Sequence, residues 1–260
     1  MKPRVAVFKF ASCDGCQLQF LNAEDELLTL AGTIDLAYFP EARSQQRGGP
    51  YDIAFVEGSI TTAEDARRIV RVREESRYLI TIGACATAGG IQALRNWANI
   101  EEYKRVVYPR SELIATLSTS TPISEHVRVD FEIWGCPIDK HQLLAVIRAL
   151  LSGAPPALPG HSVCMECKRR GNVCVVVAKG EPCLGPVTRT GCGALCPQMQ
   201  RGCYGCFGPA DRTNMTAFTS LLHMQGLSRA EALRRLRGIN GYVRPWREQS
   251  DALETKAEPD

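Results

Sequence analysis

The chain has 260 residues, long enough to bury a sizeable core in one large domain with a small one beside it. Its content, 45% hydrophobic and 23% charged, is ordinary for a soluble globular protein, and a net charge of +3 is too slight to argue for nucleic acid or an anionic membrane. No signal-peptide core is present, since Val5 to Phe8 is short and Lys9 interrupts it, and no apolar stretch approaches the ~20 residues that span a bilayer. The expected location is the cytoplasm, where structural disulfides are rare, so twelve cysteines read as metal ligands rather than a disulfide framework.

In chain order, Arg4–Phe10 is an apolar run that reads as a buried strand. It leads into FASCDGCQLQFL at Phe10–Leu21, which sets Cys13 and Cys16 on a strand-to-helix turn. A C-x2-C turn presents both sulfurs to one point, which suits a metal or a redox disulfide. Leu18, Leu21, Leu27, Leu28 and Leu30 predict a helix over Gln17–Ala31. Further strands are expected at Thr33–Phe39, Asp52–Val56, Tyr78–Ile82 and Val127–Trp134, and further helices at Thr62–Glu75, Ala88–Asn96 and Asp139–Leu151. Thr61 or Thr62 can cap the second helix, with Glu64 and Asp65 in its first turn. This alternation predicts an α/β fold with a doubly wound parallel sheet. Such sheets bind ligands beyond the carboxyl ends of their strands. The sequence puts Ser12-Cys13, Glu57-Gly58-Ser59, Gly83-Ala84-Cys85 and Gly135-Cys136-Pro137 there, so Cys13, Cys16, Cys85 and Cys136 are expected to converge on that edge.

SGAPPALPG at Ser152–Gly160 reads as a linker. Beyond it eight cysteines lie between Cys164 and Cys206, with Val173–Ala178 as the one strand-like run. That segment has too little apolar surface for a core of its own, so metal is expected to hold it together. Helical patterning returns from Asn214 to Leu236, with a basic face (Arg229, Arg234, Arg235, Arg237) that reads as solvated, and Gln249–Asp260 is polar and expected to be disordered. The division is 1–153, a domain with the first cysteine set; 154–213, a small irregular cysteine-rich domain; and 214–260, C-terminal helices and tail.

Twelve thiols divide into three sets of four: Cys13, Cys16, Cys85 and Cys136; Cys164, Cys167, Cys174 and Cys183; Cys192, Cys196, Cys203 and Cys206. Four thiolates commonly hold an iron–sulfur cluster. Tetrahedral zinc also takes four sulfurs, and spacing alone leaves it open for the second half, although Cys164/Cys167 and Cys203/Cys206 lie farther apart than the pairs of typical zinc modules. The ferredoxin cysteine run, a dinucleotide fingerprint and a phosphate-binding loop are all absent. Gly89-Gly90 lets backbone pass close to Cys85, and His161, three residues before Cys164, is not needed as a ligand when four cysteines are at hand.

SCDGCQ (Ser12–Gln17), VEGS (Val56–Ser59), GACATAGG (Gly83–Gly90), GCPIDK (Gly135–Lys140), CMEC, EPCLGPVTRTGC and CYGC, in that order, resemble the small subunit of nickel–iron hydrogenases, over about four-fifths of the chain. The N-terminal half is also similar to the 20-kilodalton cluster subunit of NADH dehydrogenase. Within the family the likeness is to the delta subunit of cytoplasmic NADP-linked sulfhydrogenases. The resemblance implies a flavodoxin-like sheet and three 4Fe–4S clusters: proximal on Cys13, Cys16, Cys85 and Cys136; medial on Cys192, Cys196, Cys203 and Cys206; distal on Cys164, Cys167, Cys174 and Cys183. It implies that hydrogen is split at a nickel–iron site on a separate large subunit. Electrons would pass to iron–sulfur and flavin/NAD(P) subunits of a heterotetramer, or instead to a heterodisulfide reductase or ferredoxin-type acceptor, with neither nucleic acid nor membrane as partner. A non-catalytic zinc protein is the rival of another class. Two departures stand out. Ile138 replaces the usual second proline of GCPP, and Ser12 replaces a glutamate that many relatives carry before the first cysteine. Glu57 is a possible stand-in for that glutamate, with holding the turn as its simpler role.

Overall fold

A computed structural model describes residues 2–255, without the side chains of residues 25, 27, 28, 30 and 31, so the expected apolar positions Leu27, Leu28 and Leu30 lie outside what is described. The chain forms two compact units, Met1–Pro156 and Ala157–Asp260.

The first unit runs β1 (Arg4–Lys9), α1 (Gly15–Leu21), α2 (Glu24–Thr33), β2 (Asp35–Tyr38), β3 (Tyr51–Glu57), α3 (Ala63–Glu74), β4 (Ser76–Ile82), α4 (Gly83–Ala88), a 3-10 turn at Ile91–Trp97, α5 (Ile100–Val107), β5 (Phe131–Ile133) and α6 (Lys140–Leu151). The five strands are all parallel, in the order β2-β1-β3-β4-β5. This is the flavodoxin-like doubly wound order, with its switch point between β1 and β3. The central strands are apolar runs because helices cover both of their faces: Val5 to Phe8, Ile53 to Val56 and Leu79, Ile80 and Ile82 are buried.

Local chemistry fixes the helix ends. Thr62 accepts from the Asp65 N–H and Asp65 answers back to the Thr62 N–H, a capping box that starts α3. Asp139 accepts from the Gln142 N–H at the start of α6. The helix expected over Gln17–Ala31 is two helices, because the chain turns at Asn22–Ala23 and Glu24 takes a left-handed conformation (φ 41°). The helix expected at Ala88–Asn96 begins earlier and stops at Gly89 and Gly90, both at positive φ, before the 3-10 turn. The strand expected over Val127–Trp134 shrinks to three residues. There the Asp130 carboxylate, also paired with Arg73, takes the Leu79 N–H that a longer strand's carbonyl would have used.

The second unit contains α7 (Val163–Arg169), α8 (Val175–Lys179), a 3-10 turn at Gly185–Val187, α9 (Leu195–Gln198), α10 (Met215–Met224), α11 (Arg229–Leu236) and α12 (Arg244–Thr255). Two expectations are corrected. Val173–Ala178 is not a strand: Cys174 starts a five-residue helix that ends at Gly180, with Val175 buried and Val177 exposed. Residues 244–255 form a helix whose Trp246, Ser250 and Leu253 face inward, while Arg237 pairs with Asp251 and Glu254; residues 256–260 lie outside the described range. The cysteine-rich segment also shares a core with these helices. Leu184 and Val187 pack with Met215, Phe218, Leu222, Leu236 and Trp246, and a Cβ at Gly205 would lie 2.4 Å from the Trp246 ring.

Candidate metal centres

The first set forms where the sheet ends. Cys13 and Cys16 follow β1, Cys85 follows β4 on α4, and Cys136 follows β5. Their loops are tied together: the Ala84 N–H donates to the Gly135 carbonyl (2.7 Å), and the Cys136–Pro137 bond is cis. Ile138, in place of a second proline, is buried. Two glycines keep the thiols clear, since a Cβ at Gly83 would stand 2.3 Å from Cys16 Sγ and one at Gly90 2.7 Å from Cys85 Sγ.

Glu57, at the end of β3 and 2% exposed, holds the C-x2-C turn. Its Oε1 accepts from the Cys16 N–H (3.1 Å) and its Oε2 from the buried Gln17 Nε2 (2.8 Å). Burial pushes this carboxyl above its usual range, against the lowering effect of those two donors. Gln17 Oε1 is buried with no partner. Lys9 bonds Asp14 (2.7 Å), which sits in the left-handed region at the bend between the cysteines. Two further residues carry no sequence signal. Gln92 donates to the Ala11 carbonyl (2.7 Å) and lies 3.6 Å from Cys85 Sγ, and Ser120 Oγ lies 2.9 Å from Ser59 Oγ and 3.1 Å from the Gly89 carbonyl.

The four thiols act on one another. Burial foremost, with Glu57 and the neighbouring thiolates adding repulsion, raises Cys16, Cys85 and Cys136, Cys85 to about 11. Cys136 is open to solvent on one side, but packed atoms on the other still desolvate it. Cys16 feels Cys85 and Cys136, Cys85 feels Cys136 and Cys13, and Cys136 feels Cys13. A cationic metal group is what relieves four crowded thiolates.

In the second unit α7 carries Cys164 and Cys167 one turn apart, Cys174 starts α8, and Cys183 precedes the 3-10 turn. Cys164 interacts with Cys167, Cys174 and Cys183, so this set is also brought together. For the remaining four, Cys192 interacts with Cys196, and Cys203 with Cys206. The two groups adjoin, because the Cys203 N–H donates to Cys183 Sγ (3.1 Å) and Cys167 also feels Cys192. Glu166 links them further: from its place between Cys164 and Cys167 it accepts from the Gly191 (3.1 Å) and Ala194 (3.0 Å) N–H groups on either side of Cys192. Its position inside CMEC is its only sequence signal. His161 Nδ1 lies 3.4 Å from its neighbour's carbonyl.

Among the described residues no three His, Cys, Asp or Glu side chains gather closely enough around one point to hold a single ion. The sets consist of thiols alone, the usual ligand chemistry of iron–sulfur clusters.

The family model for the 20 Kd subunit of NADH ubiquinone oxidoreductase matches residues 13–150. The chain is 36% identical over 219 residues to the sulfhydrogenase 2 subunit delta of Pyrococcus furiosus, covering 84% of this chain and 92% of that one. The chain belongs to the hydrogenase small-subunit family. This hydrogenase subunit has another relative in the vhu F420-non-reducing hydrogenase of Methanocaldococcus jannaschii, to one chain of which it is 33% identical, covering 81% of this chain and 83% of that one. Among solved structures, it is similar to a chain of an NAD+-reducing [NiFe]-hydrogenase in the H2-reduced state, with a TM-score of 0.57 and 30% identity over 61% of this chain and 96% of the other. The protein is thus an electron-transfer subunit of a hydrogenase, with iron–sulfur clusters as its cofactors and a large subunit as its partner.

Proposed function

We propose that this chain relays electrons between the nickel–iron site of its large subunit and a flavin/NAD(P) module through three 4Fe–4S clusters, in reversible H2 oxidation coupled to NADP. The convergence of Cys13, Cys16, Cys85 and Cys136 at the carboxyl edge of the sheet carries the reading. These four would hold the proximal cluster, Cys192, Cys196, Cys203 and Cys206 the medial one, and Cys164, Cys167, Cys174 and Cys183 the distal one. When bound, such clusters pass single electrons at potentials set by ligand hydrogen bonds, charge and burial.

The chain's own residues set those conditions. Glu57 and Gln17 orient Cys16, and Gly83 and Gly90 keep the approach to the thiols open. Backbone N–H groups of Gly185 and Cys203 point at Cys183 Sγ, and that of Gly205 at Cys203 Sγ, where they would stabilise thiolate charge. No residue here splits hydrogen. Among the described residues no helix is long and apolar enough to cross a membrane, and we place the complex in the cytoplasm.

The test is metal and sulfide analysis of the anaerobically purified complex. Three four-iron clusters require about twelve irons for this chain beyond those of its partners, and zinc in their place, with the partners alone accounting for the iron, refutes the reading. A second reading keeps the relay and changes its end to a ferredoxin-type acceptor or a heterodisulfide reductase. It is supported by the likeness to a chain of an F420-non-reducing hydrogenase, whose name specifies no NAD(P). The chains that copurify decide between the two.

A further inference from the structure

Cations gather near one exposed thiol of the second unit. Residues 161–206 hold six Lys and Arg against two Glu, before the charge of any bound cluster is counted, and one of the six, Arg189, is paired with Asp211. Lys168, Arg169, Arg170, Lys179 and Arg201 are all exposed. Arg170 donates to Gln198 Oε1 (2.9 Å) and Lys179 to Gln200 Oε1 (2.6 Å). One short segment, 198–200, therefore braces cations on both sides of the loop that carries Cys174, the exposed thiol of its set. Within this rim stand Val173 (72% exposed), Val177 (85%) and Met199 (65%). Of the two carboxylates in the stretch, Glu166 bonds backbone N–H groups rather than these cations.

Scattered surface valines need no explanation, but an apolar centre inside a charged rim is the anatomy of a protein interface. We propose that the surface around Cys174 docks an acidic electron-carrying subunit, which sets carboxylates against the cations and apolar side chains over Val173, Val177 and Met199. H2 supplies two electrons and two protons. The electrons cross here singly, and the redox centre of that partner is what they reduce. Complementary charge steers such a partner from a distance and fixes its orientation, while the small apolar centre excludes water at the crossing. This rests on the reading of Cys164, Cys167, Cys174 and Cys183 as the outermost set.

The test uses the whole complex with its natural chains. A water-soluble carbodiimide, which joins amines directly to carboxylates, is expected to link Lys168 or Lys179 to Asp or Glu of a chain bearing flavin or an iron–sulfur centre. Links found only within this chain or to the large subunit overturn the proposal. Lys168→Glu/Arg169→Glu is expected to cut H2-driven NADP reduction at least about tenfold at ~50 mM salt, with the gap narrowing at high salt. Iron content and benzyl viologen reduction should stay. NADP reduction at the wild-type rate by an iron-replete variant also overturns it. Cys174→Ser separates this idea from the reading beneath it. If that variant keeps its iron and its rates, the ligand set is wrong; if it loses both while the charge reversal is silent, only the docking site is wrong.

Discussion

Glu57 is the most informative carboxylate to change. It is buried, and it is the acceptor for two donors that water does not reach, the Cys16 N–H and the Gln17 side-chain amide. Glu57→Ala strands the Cys16 N–H and leaves the Gln17 amide only a long contact to Asp14 Oδ1 (3.5 Å). An unsatisfied buried donor costs roughly 1–3 kcal/mol, so the expected destabilisation of the first unit is about 2–5 kcal/mol. The damage falls on the turn that aims Cys16, so iron content should drop with stability. Glu57→Gln should behave differently. Its carbonyl keeps the Cys16 N–H, and its new amide finds an acceptor if the Gln17 side chain turns over, because Gln17 Oε1 is already buried without a partner. One orphan atom remains in either case, and the cost should stay within about 1 kcal/mol. Denaturant unfolding, together with iron analysis of the purified complexes, reads both effects. Glu57→Ala with full iron and wild-type stability, or Glu57→Gln as damaging as Glu57→Ala, would refute the hydrogen-bonding account.

Three further outcomes are expected. Cys196→Pro should leave one iron of the medial cluster without its thiolate, giving a three-iron electron paramagnetic resonance signal in the oxidised protein; a silent variant with full iron content shows that Cys196 is not a ligand. Glu166→Ala should release the loop of Gly191 and Ala194 and lower iron occupancy beside Cys192, with partial recovery in Glu166→Gln, whereas unchanged iron in Glu166→Ala would leave Glu166 no positioning role. Asp130 tests a different region. Burial pushes its carboxyl up, but the Leu79 N–H and Arg73 outweigh this and hold it below the usual range. Its stabilisation is therefore complete above the unfolded-state pKa of about 3.9 and is lost as pH falls through the lower folded value. Asp130→Asn should flatten that acid limb in unfolding measurements, and an unaltered slope below about pH 4 counts against the assignment.

The parallel strands were legible because burial on both faces writes an unbroken apolar run, and α3 and α6 because Thr62 and Asp139 are caps in the sequence as well as in space. Where pattern and fold part, a specific interaction intervenes. Asp130 ends β5 early with a side-chain bond that no hydrophobic pattern reports. The run Val175–Val177 reads equally as strand or helix, since short apolar runs carry no period. α5 carries Ile100, Tyr103 and Val107 at helical spacing, a signal passed over in the sequence, and it buries none of them. α12 also carried a signal in the spacing of Trp246, Ser250 and Leu253, hidden by the serine in the middle. At the candidate centres the thiols announced themselves by number and spacing. Of the groups that aim them, Glu57 was marked by its VEGS motif, but Gln92 and Ser120 lie far along the chain from the cysteines whose loops they fasten, and only folding makes them neighbours.

The seating of Trp246 against Gly205 has a bearing on how the protein is made. Synthesis proceeds from the N-terminus, and the first unit has every residue of its sheet before Pro156 leaves the ribosome. The CYGC turn at Cys203–Cys206 cannot be braced in the same way, because the ring that fills the space over Gly205 arrives forty residues later. Closure of that turn therefore waits for residues made long after its own cysteines, and a stop codon before Trp246 should leave the turn at Cys203–Cys206 unbraced.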